Sequence, residues 1–331
     1  MTDAKFQPRK IFYYANTFWG PAWYRCATPG GELQRLGHEV VLTDRLDDRV
    51  YDCDIFVALR PAAPEILRAV RHLNQAGKMT VFEIDDDYWN LAPDNPARRT
   101  WTADLLSLLS TIARECQLVT VSTPELAEIM RPMNREVRVL PNMLPDEDWP
   151  TQRKPVSEGG PLVLGWAGSP SHAADVRTLG LLFGQLMDEY PPLEVHLAGA
   201  RADWVPSHER LRLIQPVQIR QYASILEGFD IGVAPLVDTR FNRCKSDLKF
   251  VEYAMIGLPV VASDVTPYQR AVRRGENGFL AKNAKDWLKY LRPLIEDASL
   301  RDAIGAKARE FAEKRLISAN IERWEKLYGI R

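Results

Sequence analysis

Short runs rich in β-branched and aromatic residues recur along the chain, separated by longer segments whose apolar positions fall three and four apart. KIFYYA (10–15), HEVVLTD (38–44), CDIFVALR (53–60), MTVFEID (79–85), QLVTVST (117–123) and EVRVLPN (136–142) are of the first kind. PEILRAVRHLNQAGK (64–78) and ADLLSLLSTIAREC (103–116) are of the second. Strands of this length alternating with amphipathic helices predict a parallel sheet covered on both faces. A polar stretch with proline and glycine, PDEDWPTQRKPVSEGGP (145–161), breaks the alternation and reads as a linker. The pattern then restarts with LVLGWAG (162–168), TLGLLFGQLMDEY (178–190), LEVHLAG (193–199), RLRLI (210–214), IRQYASILEGF (219–229), IGVAPL (231–236), SDLKFVEYAMIG (246–257), PVVAS (259–263) and GFLAK (278–282). The predicted fold class is α/β, with two doubly wound parallel-sheet (Rossmann-like) domains facing a cleft. Their expected bounds are residues 1–148 and 162–316, joined by a linker at 149–161. From about residue 283 to 331 the pattern is helical, and the last helix, about 317–331, is expected to pack back on the first domain.

Composition changes this picture little. A chain of 331 residues is long enough for two cores. Lys and Arg (43) nearly balance Asp and Glu (44), so no overall basic field draws the protein to nucleic acid or to an anionic membrane. Cys26, Cys53, Cys116 and Cys244 are far apart, without C-x-x-C or zinc-finger spacing, and are expected to be free thiols in a reducing compartment. The start MTDAKFQPRK has no apolar core, and no run of about 18 apolar residues occurs, so a soluble, cytoplasmic protein without a transmembrane segment is expected.

In open parallel sheets, ligands sit beyond the carboxyl ends of the strands. Two clusters there carry candidate chemistry. In GWAGSPSHAADV (165–176) a small-residue loop, Gly168 and Ser169, enters a helix; it either offers N–H groups to a diphosphate or is ordinary capping by Ser169 or Ser171. In FNRCKSDLKFVEYAMIGLPVVAS (241–263), Lys245, Lys249 and Glu252 share one face if the helix reaches back to Lys245; they bind a ligand or form a surface Lys–Glu pair. The run Asp85-Asp86-Asp87 admits three readings: a metal site, a helix cap, or a base that orients and deprotonates an attacking hydroxyl. Phe18, Trp19, Trp23 and Tyr24 either stack on a sugar or base or anchor their loop. His38 reads as structural, His72 and His208 as solvated, and His172, at the presumed diphosphate loop, as the histidine with chemistry to offer.

The run DIGVAPLVDTRFNRCKSDLKFVEYAMIGLPVVASDVTPYQRAVRRGENGFLA (230–281), with LGWAGSPSH, VRVLPN and YRCATPGGELQRLGHEV (24–40), resembles GT-B glycosyltransferases of the group 1, GT4-like kind. The resemblance implies GT-B architecture, with an acceptor-side first domain and a second domain that binds a nucleotide-diphosphate sugar. By it, Glu252 meets the ribose, Lys245 and Lys249 meet the diphosphate, and Gly168, Ser169 and Ser246 complete that site. The family's first glutamate falls at Cys244, with Asn242, Asp238 and Asp247 the nearest replacements; the usual basic pair is also missing, with Arg201 and His172 as substitutes. The acceptor side is expected from residues 16–25 with Arg25, from Arg60 and from the aspartate run with Asp86, and His172 joins the catalytic set. No tightly bound cofactor and no metal are expected, because lysines can neutralise the departing diphosphate. The implied reaction is transfer of a hexose or pentose, with retention, to a hydroxyl of a glycan, lipid-linked sugar, small molecule or modified nucleic-acid base. Alternatives are a base-modifying glycosyltransferase, motivated by RPMNR, NPARR and QRAVRR; a nucleotide-sugar epimerase or phosphorylase; and a non-catalytic sugar-nucleotide binder.

Overall fold

A computed structural model describes residues 7–18, 20–92, 95–147, 149–150 and 160–330. Trp19 and most of the expected linker lie outside the described residues. The chain forms two compact units. The first comprises residues 1–91, 97–145 and 316–331, and the second residues 92–96 and 146–315.

In the first unit, six strands, β1 (Lys10–Ala15), β2 (Glu39–Thr43), β3 (Ile55–Leu59), β4 (Met79–Ile84), β5 (Leu118–Val121) and β6 (Val137–Val139), pair in parallel in the order β2-β1-β3-β4-β5-β6. The central strands β3, β4 and β5 are buried almost end to end, as a sheet covered on both faces requires. Helices Pro64–Gln75 and Ala103–Glu115 match the periodic segments; the first places Ile66, Ala69, Val70 and Leu73 inward. The last helix, Glu322–Leu327, is part of this unit. Trp324 and Tyr328 lie in its core, and the Tyr328 hydroxyl meets that of Tyr13 on β1 at 3.2 Å.

In the second unit, β7 (Leu162–Ala167), β8 (Leu193–Ala198), β9 (Leu211–Ile214), β10 (Ile231–Ala234), β11 (Val260–Ser263) and β12 (Phe279–Ala281) form a parallel sheet in the order β12-β11-β10-β7-β8-β9. This is the strand order of a dinucleotide-binding sheet, with its reversal between β7 and β10. The 219–229 segment is less regular than its pattern predicts: a short turn at Ile219–Gln221 leads into a helix of only five residues, Tyr222–Leu226. Among the described residues, no helix is long and apolar enough to cross a membrane. All four cysteines are buried, and none forms a disulfide.

Candidate functional site

In sheets of this order a crevice forms beyond the carboxyl ends of the strands where the order reverses, here between β7 and β10. The β7 loop brings Gly168, Ser169 and His172 there; the β10 loop runs through Val237 and the short helix Arg240–Arg243 to Lys245 and Ser246. The backbone packs closely at this point. A Cβ on Gly168 would lie 2.6 Å from the Trp166 ring and 3.0 Å from Lys249 Nζ. Gly199, at the end of β8, has a φ of +80, and a Cβ there would lie 2.1 Å from the Gly168 carbonyl oxygen. Only glycine satisfies both requirements at position 199.

Lys249 is the central cation of this crevice. It lies on the helix Leu248–Met255; its ammonium donates to the Ala167 carbonyl and stands 5.0 Å from the Trp166 ring centre. Burial pushes its pKa down from 10.5 to about 8, against the opposing pull of Glu252 and Asp175, with Lys245 lowering it further. It is therefore mostly protonated at neutral pH, yet poorly solvated, so an arriving anion meets little water to displace. Glu252, one turn on, is buried at the same helix.

The expected helical stripe is corrected at one position. The helix begins at Leu248, so Lys245 is not on it. The chain breaks there because Ser246 Oγ accepts from Leu248 N at 3.4 Å and Asp247 is drawn aside by Arg315, at 2.9 and 3.1 Å. Lys245 instead comes from the loop, its ammonium 4.5 Å from the Phe241 ring centre. The capping reading of the serines is also corrected. Ser169 precedes a short turn, Pro170–His172, without a side-chain cap, and its hydroxyl instead meets that of Ser171 at 2.8 Å.

His172 Nδ1 lies 2.8 Å from Asp175 Oδ2. Burial lowers the His172 pKa to about 4; Asp175 opposes this, while Lys245 and Lys249 add to it. The ring is thus neutral at pH 7. Asp175, buried to 3% exposure, was not singled out by the sequence reading. Its Oδ1 accepts from Val237 N at 2.8 Å and from Asn242 Nδ2 at 3.0 Å. The only trace in sequence is the H-x-x-D spacing within SHAAD. A cavity of about 160 Å³ adjoins this carboxylate, lined in part by Ser171, Ala174, Arg177, Phe241 and Asn242. Of the other residues suggested for the absent glutamate, Asp238 is paired with Arg243 at 2.6 Å and Asp247 with Arg315. Arg201 is exposed, 3.4 Å from Asp203.

In the first unit the strand order reverses between β1 and β3, and Arg60 follows β3 directly. Its φ is +51, unusual for a residue with a side chain. Arg60 Nη1 donates to Tyr88 Oη at 3.1 Å, Tyr88 donates to Asp85 Oδ1 at 3.1 Å, and Arg60 Nε lies 3.5 Å from the same oxygen. Burial works against its charge, but Asp85, Tyr88 and Asp86 raise its pKa further. The aspartate run does not continue β4, which ends at Ile84, so Asp85 and Asp87 do not share a strand face. Asp87 is fully buried at the start of a turn, Tyr88–Asn90, but caps no backbone N–H; its oxygens accept from the Asn90 amide at 3.0 and 2.8 Å. Asp86 is the least buried of the three.

Arg25 lies in the interior of the first unit. It is 2.7 Å from Glu83 Oε1, and Nη1 donates to the Leu140 carbonyl and to Asn142 Oδ1, the latter at 3.0 Å; its side chain is 1% exposed. Burial pushes Glu83 up to about 7, against the pull of Arg25 and Thr120. Arg25 thus ties β4 to the segment after β6. His38 is buried and accepts from Arg9 N at 3.2 Å, while His72 is exposed beside Tyr51 and His208 lies 3.3 Å from Asp188.

Residues 163–297 match the family model of group 1 glycosyl transferases. Over the whole chain the fold is similar to those of several solved structures. Sucrose-phosphate synthase from Thermosynechococcus elongatus superposes with a TM-score of 0.69 at 13% identity, covering 97% of this chain and 98% of its own. HepE from Anabaena, solved with UDP and glucose, gives 0.68 at 15% identity, covering 97% and 99%. TarM from S. aureus, solved with UDP, fondaparinux and α-GlcNAc-glycerol, gives 0.62 at 16% identity, covering 83% and 55%. No curated protein matches the sequence significantly. The chain has the two-sheet GT-B fold of these structures, and Lys249 lies within the residues that match the group 1 glycosyl transferase model.

Proposed function

We propose that this protein transfers a sugar, with retention, from a nucleoside-diphosphate sugar to a hydroxyl acceptor. The observation that carries this reading is the Lys249 ammonium, held poorly solvated at the β7–β10 reversal with Glu252 one helical turn away. Glycosyl transfer places negative charge on the departing diphosphate while the anomeric carbon becomes cationic. An ammonium already stripped of much of its water stabilises that charge more than a solvated one does, and Lys245 adds a second cation without a divalent metal. Glu252 would take the ribose hydroxyls as acceptor of their hydrogen bonds, and the Gly168–Ser169 loop, with Ser246, would close around the phosphates.

The second unit, residues 92–96 and 146–315, is then the donor domain, and the first, residues 1–91, 97–145 and 316–331, the acceptor-side domain. There Asp86 is proposed as the group that orients or deprotonates the attacking hydroxyl, with Arg60 beside it. Arg25, buried against Glu83, Leu140 and Asn142 inside the unit, serves the frame on which that side is built rather than the substrate. The solved HepE structure with UDP-glucose makes that compound the first donor to try.

The test is a thermal-shift series with UDP, GDP, ADP and their sugars. A ligand at 100 times its Kd adds about 2.7 kcal/mol to the stability of the fold it binds. Stabilisation by one nucleotide series is expected, and Glu252→Ala should weaken it. Absence of a shift with every nucleotide would overturn the reading, and an unchanged Kd in Glu252→Ala would remove the ribose assignment.

A further inference from the structure

Asp175 joins two loops that are far apart in sequence. One carboxylate oxygen holds the β10 loop through Val237 N and the Asn242 amide, and the other meets Nδ1 of His172 on the β7 loop. A carboxylate surrounded by donors can only accept, so a neutral imidazole facing it must carry its proton on Nδ1. The Nε2 of His172 then bears a lone pair, and it makes no hydrogen bond among the described residues. Lys245 and Lys249 act on the same ring and oppose any proton on Nε2. A lone pair repels phosphate oxygens and selects an O–H or N–H donor. In a crevice that takes a nucleotide-sugar, the group that answers this description is a hydroxyl of the sugar.

We propose that Asp175 is a positioning residue: it holds His172 in the Nδ1–H tautomer, so that Nε2 accepts a hydroxyl of the donor sugar, and it fixes the β10 loop beside the same ring. The proposal rests on the donor reading given above and deepens it. It supplies a neutral acceptor for the sugar from a loop that approaches the same place as Lys245 and Lys249. The carboxylate does not touch substrate; it acts through the ring.

The deciding variant is Asp175→Asn. The carboxamide keeps the size of the group, and its oxygen still accepts from Val237 N and Asn242. Its NH₂ must then donate to His172 Nδ1, which drives the ring proton to Nε2. Long-range proton–nitrogen-15 NMR on the full chain reads this directly: the wild type is expected to show a protonated Nδ1 and bare Nε2, and Asp175→Asn the reverse. With UDP-glucose as the probe, the Kd should rise about tenfold to a hundredfold, the consequence of turning one attractive hydrogen bond into a repulsive one. UDP, which lacks the sugar, should bind both proteins with Kd values within about twofold, a change worth under 0.5 kcal/mol. A protonated Nε2 in the wild type overturns the proposal even if Asp175→Asn does not fold. A switched tautomer with an unchanged Kd for UDP-glucose also overturns it. Failure of every nucleotide to bind would count against the donor reading and leave the tautomer result standing, so the two failures are distinguishable.

Discussion

Lys249→Met tests whether the crevice is built around a destabilising charge. The side chain keeps its length and its apolar contacts with Trp166 and Tyr253, and only the ammonium is lost. In the fold the Lys249 pKa lies near 8, below its ordinary 10.5. Between those values the unfolded chain holds a proton that the folded chain has released, so the stability of the wild type rises with pH through this window. The displacement corresponds to about 3 kcal/mol, an upper figure because the side chain keeps some solvent contact. Below pH 8 the full penalty is present; by pH 10.5 it is gone. Urea denaturation of wild type and variant at matched pH from 7 to 10.5 isolates this contribution, since other titrating groups are common to both. The difference in unfolding free energy, wild type minus variant, should grow by about 2–3 kcal/mol across the range. Parallel curves would refute the claim that burial holds this ammonium at a cost. The variant should also lose the stabilisation by UDP seen at pH 7, because the ammonium lost is the one that meets the diphosphate.

Further outcomes follow from the same geometry. Arg25→Met leaves Glu83 buried without its partner and should cost about 3–5 kcal/mol in urea denaturation; Arg25→Met with Glu83→Leu should recover much of that, and a loss below 1 kcal/mol in the single variant would contradict the structural role of the pair. Gly199→Ala forces a side chain into a left-handed backbone and against the Gly168 oxygen, so it should destabilise by more than about 2 kcal/mol, and an unchanged melting temperature would refute the close approach. His172, held near pKa 4, takes up its proton more readily in the unfolded chain, so stability should fall as pH drops from 6.5 towards 4. In His172→Gln that part of the fall should be missing, by about 3 kcal/mol across the window; identical acid limbs would show that the ring is not buried as described.

The sequence by itself determined the strands and the presence of two sheets. Runs such as CDIFVALR and MTVFEID are apolar on both faces, which only a covered parallel strand accommodates, and β3 and β4 are buried on both faces as that demands. It also placed Lys249 and Glu252 on one helix, because a spacing of three residues is a local property. Three things were decided by tertiary structure. Arg25 reads as a substrate-facing cation in its aromatic loop, but it is buried against Glu83, 58 residues away on β4. Lys245 falls off the helix because Arg315, 68 residues on, draws Asp247 aside at the helix start. Asp175 gains its meaning from Val237 and Asn242, 62 and 67 residues later. Local patterning sets which residues face a core, since burial of apolar surface repeats with the period of the element. Which polar groups meet is set by strand order, and the reversal between β7 and β10 that brings His172, Asp175 and Asn242 together has no signature in any local stretch of the chain.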